Sequence, residues 1–405
     1  MLRIVLRSRR SWILCCLATL LLCGGQAHGD RRLIPLPEII VDPNEGTTVG
    51  LLPVILVSNK DKSVRRIIAP DVRYNEITGV TPTLRLFEYP DPKQSYYLVG
   101  GKGTQRGEYF EANYLGEDLL HGWLDLWSNA RHEQDPFERF FGFGNNTPKS
   151  NETNFTSTTN AVSILAGLNL PASFQVFIQG RLRHVRIGRG GVSDLPQLRE
   201  ASSGSSKIKG ADGGTIIGTR MGLANDTRDR TAVPTEGLFG NAGIEVVDRA
   251  LGSSASFIKY GAEVKSYTPL RSDKRLIVAL HAVADYLQHG SDAPFFERSA
   301  VGGIHSLRGF GSNRFTDNHR FFLQGELRSN VYQREIFGVA AHLEVAPFID
   351  LGKVFHSARE FPLEDLHVVG GVGFRAVVIP QVVAYVDIGT AGRAPAAFTG
   401  IDYPF

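Results

Sequence analysis

The sequence predicts an all-β fold: a 16-stranded antiparallel transmembrane β-barrel with a long external loop folded into the lumen. Three observations point there. The chain opens with an export leader. No later apolar run reaches the 18 or so residues that a spanning helix needs. Segments of roughly ten residues alternate in polarity and are separated by turn residues, as barrel strands do.

The leader comes first. Arg3, Arg7, Arg9 and Arg10 form a basic head, Trp12 to Leu22 is a short apolar run, and Ala27-His28-Gly29 closes it with small outer residues. Residues 1–29 therefore read as a cleaved signal peptide. Cys15, Cys16 and Cys23 all lie inside it, so the exported chain is expected to have no disulfide and no cysteine–metal site. Loss of the four arginines turns a formal charge of +3 into about −1, which excludes a nucleic-acid binder. Residues 30–63, with Pro35, Pro37, Pro43 and Pro53, read as a short periplasmic lead-in holding at most one strand, 49–57. The barrel is expected over 64–405.

Period two carries the strand assignment. In 276–286, Leu276, Val278, Leu280, Ala282, Ala284 and Tyr286 oppose His281 and Asp285. In 174–185, Phe174, Val176, Ile178 and Leu182 oppose Gln175, Gln179, Arg181 and Arg183. In 256–266, Ile258, Tyr260, Ala262 and Val264 oppose Lys259, Glu263 and Lys265. A soluble sandwich with its polar face in solvent would show the same alternation; a barrel with a wet lumen is the other solution. The expected strands are 64–75, 77–89, 95–105, 107–116, 119–131, 158–170, 174–187, 214–224, 237–248, 254–267, 275–287, 319–332, 338–350, 366–378, 382–391 and 397–405. The longest connections, 132–157, 188–213, 288–318 and 351–365, all follow odd strands and so share one side. Connections after even strands are short, except Asn225 to Glu236. Long loops outside and short turns inside are the outer-membrane arrangement. Ile401, Tyr403 and Phe405 share one face of the last strand.

Within the longest loop, Gly302-Gly303-Ile304-His305-Ser306-Leu307-Arg308-Gly309-Phe310 surrounds one cation with small residues. Alternation places Glu326 and Asp350 in the lumen on neighbouring strands, with Gln324, Arg328, Asn330, His342, Glu344 and Phe348. Two facing carboxylates repel unless a cation joins them, and the fork of Arg308 can bond both. Ordinary solvated contacts for all three are the plainer reading. His281, His305 and His342 lack metal-ligand spacing and read as pore lining. No Gly-x-Ser-x-Gly, no phosphate loop with lysine and no hydrolytic triad appears, so no enzyme, cofactor or metal is expected.

The loop motif resembles the glycine-rich, Arg-Gly-aromatic loop of the BamA/TamA family of outer-membrane barrels, also known as bacterial surface antigen. Phe348-Ile349-Asp350-Leu351-Gly352 is similar to that family's Phe-x-Asp-x-Gly wall motif, and Gly325-Glu326-Leu327-Arg328 to its Glu-Leu-Arg stretch. Asp226-Thr227-Arg228-Asp229 with Pro234-Thr235-Glu236-Gly237 resembles its long internal turn; Phe140 to Asn145 and Phe405 also fit. The similarity covers about 64–405. Leu307 stands where valine is usual.

The resemblance implies a loop anchor of Arg308, Gly309 and Phe310 against lumen-wall partners Glu326, Phe348, Asp350 and Gly352, and a terminal assembly signal in Ile401, Tyr403 and Phe405. It implies a protein assembly or translocation barrel of the bacterial outer membrane whose first and last strands meet in a weak seam. Gly79, Pro82, Gly400 and Pro404 would loosen pairing near it. Family members that handle proteins carry periplasmic POTRA modules, for which 30–63 is too short, so a POTRA-less member is expected. Expected partners are outer-membrane lipid, the barrel assembly machinery during biogenesis and a separate periplasmic protein. The alternative is a pore, receptor or structural surface barrel without translocating activity.

Overall fold

The computed structural model describes residues 31–61, 63–202, 207–336, 339–360, 364–378, 382–392 and 394–401. The expected signal peptide, Tyr403 and Phe405 lie outside the described residues; Ile401 ends the last described strand.

The strands in chain order are β1 (Arg31–Asp42), β2 (Gly46–Ser58), β3 (Val64–Asn75), β4 (Gly79–Asp91), β5 (Gln94–Lys102), β6 (Glu108–Asp118), β7 (Leu124–Phe140), β8 (Thr153–Leu170), β9 (Phe174–Arg189) and β10 (Gly214–Asp226). Then follow β11 (Gly237–Val247), β12 (Phe257–Pro269), β13 (Leu276–Gln288), β14 (Ser299–Val301), β15 (Phe315–Asp317), β16 (His319–Ile336), β17 (Val339–Phe355), β18 (His367–Val378), β19 (Val382–Thr390) and β20 (Ala396–Ile401). Eighteen form one sheet in which each strand pairs antiparallel with its chain neighbour; β14 and β15 form a separate pair inside the loop that joins β13 to β16.

Each of the sixteen expected segments overlaps one strand. The count of sixteen is corrected to eighteen by β1 and β2, which occupy most of the stretch assigned to a lead-in. The expected strand 49–57 lies inside β2, and two things hid β1 and the hairpin's place in the sheet. Prolines at 35, 37 and 53 argued against sheet, and both faces are apolar, so polarity does not alternate. Leu33, Ile39, Val49 and Leu51 are exposed on the outer wall, while Ile34, Leu52, Val54, Ile67 and Ala69 pack together on the inner one.

The prolines sit where the ladder can spare a donor. Val41 N–H donates to Thr399 Oγ1 at 2.8 Å, and that hydroxyl donates to Ile39 O. The odd residues of β1 therefore turn their main chain toward β20, and Pro35 and Pro37 share that parity. They remove two donors from that side of β1. Among the described residues no ladder joins β1 to β20. Pro35 is in register with Pro53, and by the same register Pro53 faces Pro70 on β3. The β2–β3 ladder is interrupted there, between the pairs Leu51↔Val72 and Ile55↔Ile68.

β7 and β8 run longer than expected, through Asp135–Phe140 and Thr153–Ser157. That extension is a buried polar ladder, with Thr153, Asn154, Thr156 and Ser157 enclosed, so it lacks the lipid-facing alternation that marks a membrane strand. The long connections 141–152, 190–213, 289–318 and 356–366 gather at one end. The opposite end has short turns, except 227–236, whose Val233 packs inward on Val377.

Thr399 supplies two hydrogen bonds between β1 and β20, so Thr399→Val should loosen that line and little else. Faster amide exchange at Val41, with exchange in β7–β8 unchanged, is the expected outcome. Equal protection of Val41 in both proteins would refute it.

Candidate lumenal anchor and barrel seam

The site is built on the loop 289–318. Gly302 and Gly303 hold φ of +122° and +91°, a region other residues avoid. Ser306 Oγ accepts from Gly302 N–H at 2.8 Å and donates to Gly302 O at 3.1 Å, while Gly303 N–H donates to Phe310 O at 3.0 Å. The turn thus closed carries Leu307 and Arg308, both 0% exposed, into the barrel.

Arg308 meets β17 with its fork and its main chain together. Nε donates to Asp350 Oδ2 at 2.9 Å, Nη2 to Asp350 Oδ1 at 2.6 Å, and its backbone N–H to Oδ2 at 3.0 Å. Nη1 donates to Glu326 on β16 and to Asp387 Oδ2 on β19 at 2.9 Å. The guanidinium lies 3.6 Å from the ring centre of Phe348, a cation–π stack. Bidentate pairing with one carboxylate fixes orientation as well as charge.

Arg308 is one of several buried charges. Arg375 on β18 donates to Glu326 at 2.6 and 2.9 Å, to Glu344 at 3.0 Å and to Asp387 at 3.4 Å. Arg328 Nε donates to Glu326 Oε2 at 2.8 Å. Arg308, Arg328 and Arg375 thus share Glu326, Glu344, Asp350 and Asp387, all enclosed. Three guanidiniums among four carboxylates offset most of the charge, which burial in low dielectric demands. An apolar layer seals the top: Leu307 packs with Val283, Phe315, Phe322, Phe348 and Val369.

Glu326, Phe348 and Asp350, the wall partners expected from the sequence, all touch Arg308. Gly352 serves the same contact sterically. A Cβ there would stand 2.9 Å from Phe322 Cβ and 3.3 Å from Leu307 Cδ2. Gly309 leaves room for Val369, whose methyl carbons would be 3.0 Å from an added Cβ. Phe310 stacks edge-on against Phe315 at 5.1 Å and His367 at 5.5 Å. Asp387 and Arg375 were missed. Their signal was a lone charge inside an apolar strand, Val386-Asp387-Ile388 and Phe374-Arg375-Ala376. Among the described residues no group of His, Cys, Asp or Glu could hold a metal ion.

Gly389 is the tightest point beneath the loop: an added Cβ would sit 2.6 Å from Arg308 O and 3.1 Å from Val369 Cγ1. Gly389→Ala should push the loop off the wall and cost about 1–3 kcal/mol by overpacking. Urea unfolding in lipid vesicles measures it; an unshifted midpoint would contradict the close fit.

Outside the lumen the loop is tied to its neighbours. Asn44, in the β1–β2 turn, donates through Nδ2 to Ser312 O at 3.0 Å, and Arg139 Nη2 donates to Asn44 O at 2.9 Å. Arg314 Nη2 donates to Thr147 O at 2.6 Å. Asp292 accepts from Arg249 at 2.7 Å, from Lys209 and from Ser256 N–H at 2.7 Å. Those hydrogen bonds, Arg249's foremost, hold its carboxyl below the usual carboxylate range.

A family model described as the Omp85 superfamily domain matches residues 144–375. Over 186 residues the chain is 26% identical to the outer membrane protein assembly factor BamA of Nitratidesulfovibrio vulgaris, a match that covers 44% of this chain and 24% of that protein. The chain therefore spans about a quarter of the length of that relative. The crystal structure of BamA from Haemophilus ducreyi lacking POTRA domains 1–3 superposes with a TM-score of 0.55 at 15% identity, over 91% of this chain and 75% of that one. That likeness is one of fold. CdiB from Acinetobacter baumannii gives a TM-score of 0.49 at 11% identity, over 93% of this chain and 66% of that one.

Proposed function

This chain belongs to the Omp85 superfamily, and from that premise we propose that its outer-membrane barrel handles polypeptides, passing or inserting them at the line between β1 and β20. In this reading Arg308 braces the loop 289–318 against Asp350, Glu326 and Asp387, and so keeps the wall beside the seam in one shape while the seam itself yields. A periplasmic partner delivers the polypeptide.

One observation carries the reading. β1 and β20 lie side by side with no ladder among the described residues, and the Thr399 hydroxyl bonds two main-chain groups across the gap. A closed barrel has no free edges because every strand is paired. A side-chain fastening in place of a ladder makes this the line of least resistance. A solute pore has less support, because the loop 289–318 folds into the lumen and buries Leu307 and Arg308 there.

The test is a reversible lock across β1 and β20 in a barrel reconstituted with a polypeptide client. Client insertion or passage that stops on locking and resumes on release supports the proposal. Unimpaired handling by the locked barrel would exclude it.

A further inference from the structure

The loop 289–318 touches the barrel wall at a second charged point. Its short helical turn Phe295–Glu297 lowers Glu297 onto β9, where the side chain is 6% exposed. Arg181 Nη2 donates to Glu297 Oε2 at 2.7 Å and Nη1 to Oε1 at 3.3 Å. Arg183 Nη1 donates to the same carboxylate at 3.1 Å, and its guanidinium lies 5.6 Å from the ring centre of Phe296. Beside it Phe295 is buried among Phe140, Phe155, Val185, Ile187 and Leu198.

The two contacts have opposite sign and stand on different walls. At 297 the loop supplies the anion and β9 the cations. At 308 the loop supplies the cation and β16, β17 and β19 the anions. Five strands, β10–β13 and β16, intervene between β9 and β17 round the ring. The loop therefore spans the lumen between fixed ends. The cavity of about 410 Å³ lies behind it, walled by β10–β13, β16 and the loop's own His305. The cavity of about 330 Å³ is lined by β2–β7 and their turns and has no loop residue in its wall.

We propose that Glu297 is a second anchor, and that the loop, pinned at Glu297 and at Arg308, is a strut that shuts the β10–β16 side of the lumen and confines passage to the β2–β7 side. Glu297 is a positioning residue. It acts by holding the loop, and it specifies which lumenal wall a passing ion or chain meets. The inference rests on the loop's place in the barrel and not on what the barrel transports, so ionic current tests it without any client.

The experiment is single-barrel conductance in planar bilayers. Glu297→Gln weakens the β9 contact, and mean conductance should rise several-fold with frequent flicker. A second variant guards against misfolding. Arg183→Cys with Glu297→Cys, bridged by a short bis-methanethiosulfonate reagent that forms a disulfide with each thiol and releases sulfinate, should conduct like wild type while linked and rise when reductant frees it. Current unchanged on release, or current that linking does not lower, overturns the second anchor. A charged thiol reagent then locates the path. With the loop tethered, it should reduce current at Tyr97→Cys and leave current at His281→Cys unaffected. Equal block at both positions would overturn the partition.

Discussion

Arg308→Ala is expected to cost about 3–5 kcal/mol of barrel stability, the loss typical of breaking a buried ion pair from one side. The reason is what stays behind. Asp350 loses both guanidinium donors and keeps only the backbone N–H of residue 308, and among the described residues Asp387 is left with a longer bond to Arg375 at 3.4 Å. Glu326 is spared more, since Arg328 and Arg375 still reach it. Carboxylate substitutions should therefore rank unequally, with Asp350→Asn more damaging than Asp387→Asn. Arg308→Lys keeps the charge but not the fork, and should recover only part of the loss. Denaturant unfolding in vesicles, with a double-mutant cycle between Arg308 and Asp350, reads the coupling directly. A wild-type midpoint for Arg308→Ala would show that the loop is held by other contacts.

The second large effect is at the seam. Val41→Cys with Thr399→Cys joins β1 to β20 at a place where a side chain already crosses between them. The only native cysteines are Cys15, Cys16 and Cys23, so an exported chain cleaved near Gly29 would contribute no thiol of its own. Oxidation should abolish polypeptide handling, and reductant should restore it in the same sample. Ion conductance should change little, because the lock leaves the strut and both cavities as they were. Handling that survives oxidation would move the activity away from the seam. The two experiments separate the two proposed roles: Arg308→Ala should weaken the frame, whereas the lock should immobilise the proposed opening in an intact frame.

Much of this was legible in residue order because a barrel strand has only two faces. Parity alone set Glu326, Glu344, Phe348 and Asp350 on the lumen side, and a glycine-lined arginine upstream was the obvious counter-charge. Parity could not say how far round the ring the arginine reaches, so Asp387, two strands beyond Asp350, went unnoticed. Glu297 was hidden for a related reason. It sits in a loop, where no period applies, and its partners Arg181 and Arg183 are more than a hundred residues away in sequence. The β1–β2 hairpin failed differently. Its prolines are strand breakers only when the missing N–H faces a paired neighbour, and which side each faces is a property of the closed sheet rather than of the segment.

Those prolines bear on the width of the opening proposed at the seam. Among the described residues the hairpin has no ladder to β20 on one side, and on the other its ladder to β3 is interrupted at Pro53 and Pro70. Between β1 and β2 the register runs unbroken from Arg31↔Val57 to Asp42↔Gly46. Such a hairpin is expected to detach as one cooperative unit, at a free energy below that of the rest of the sheet. When it leaves, it leaves as a pair, and the gap is two strand spacings, roughly 10 Å. A breach of that width admits a hairpin rather than a single extended strand.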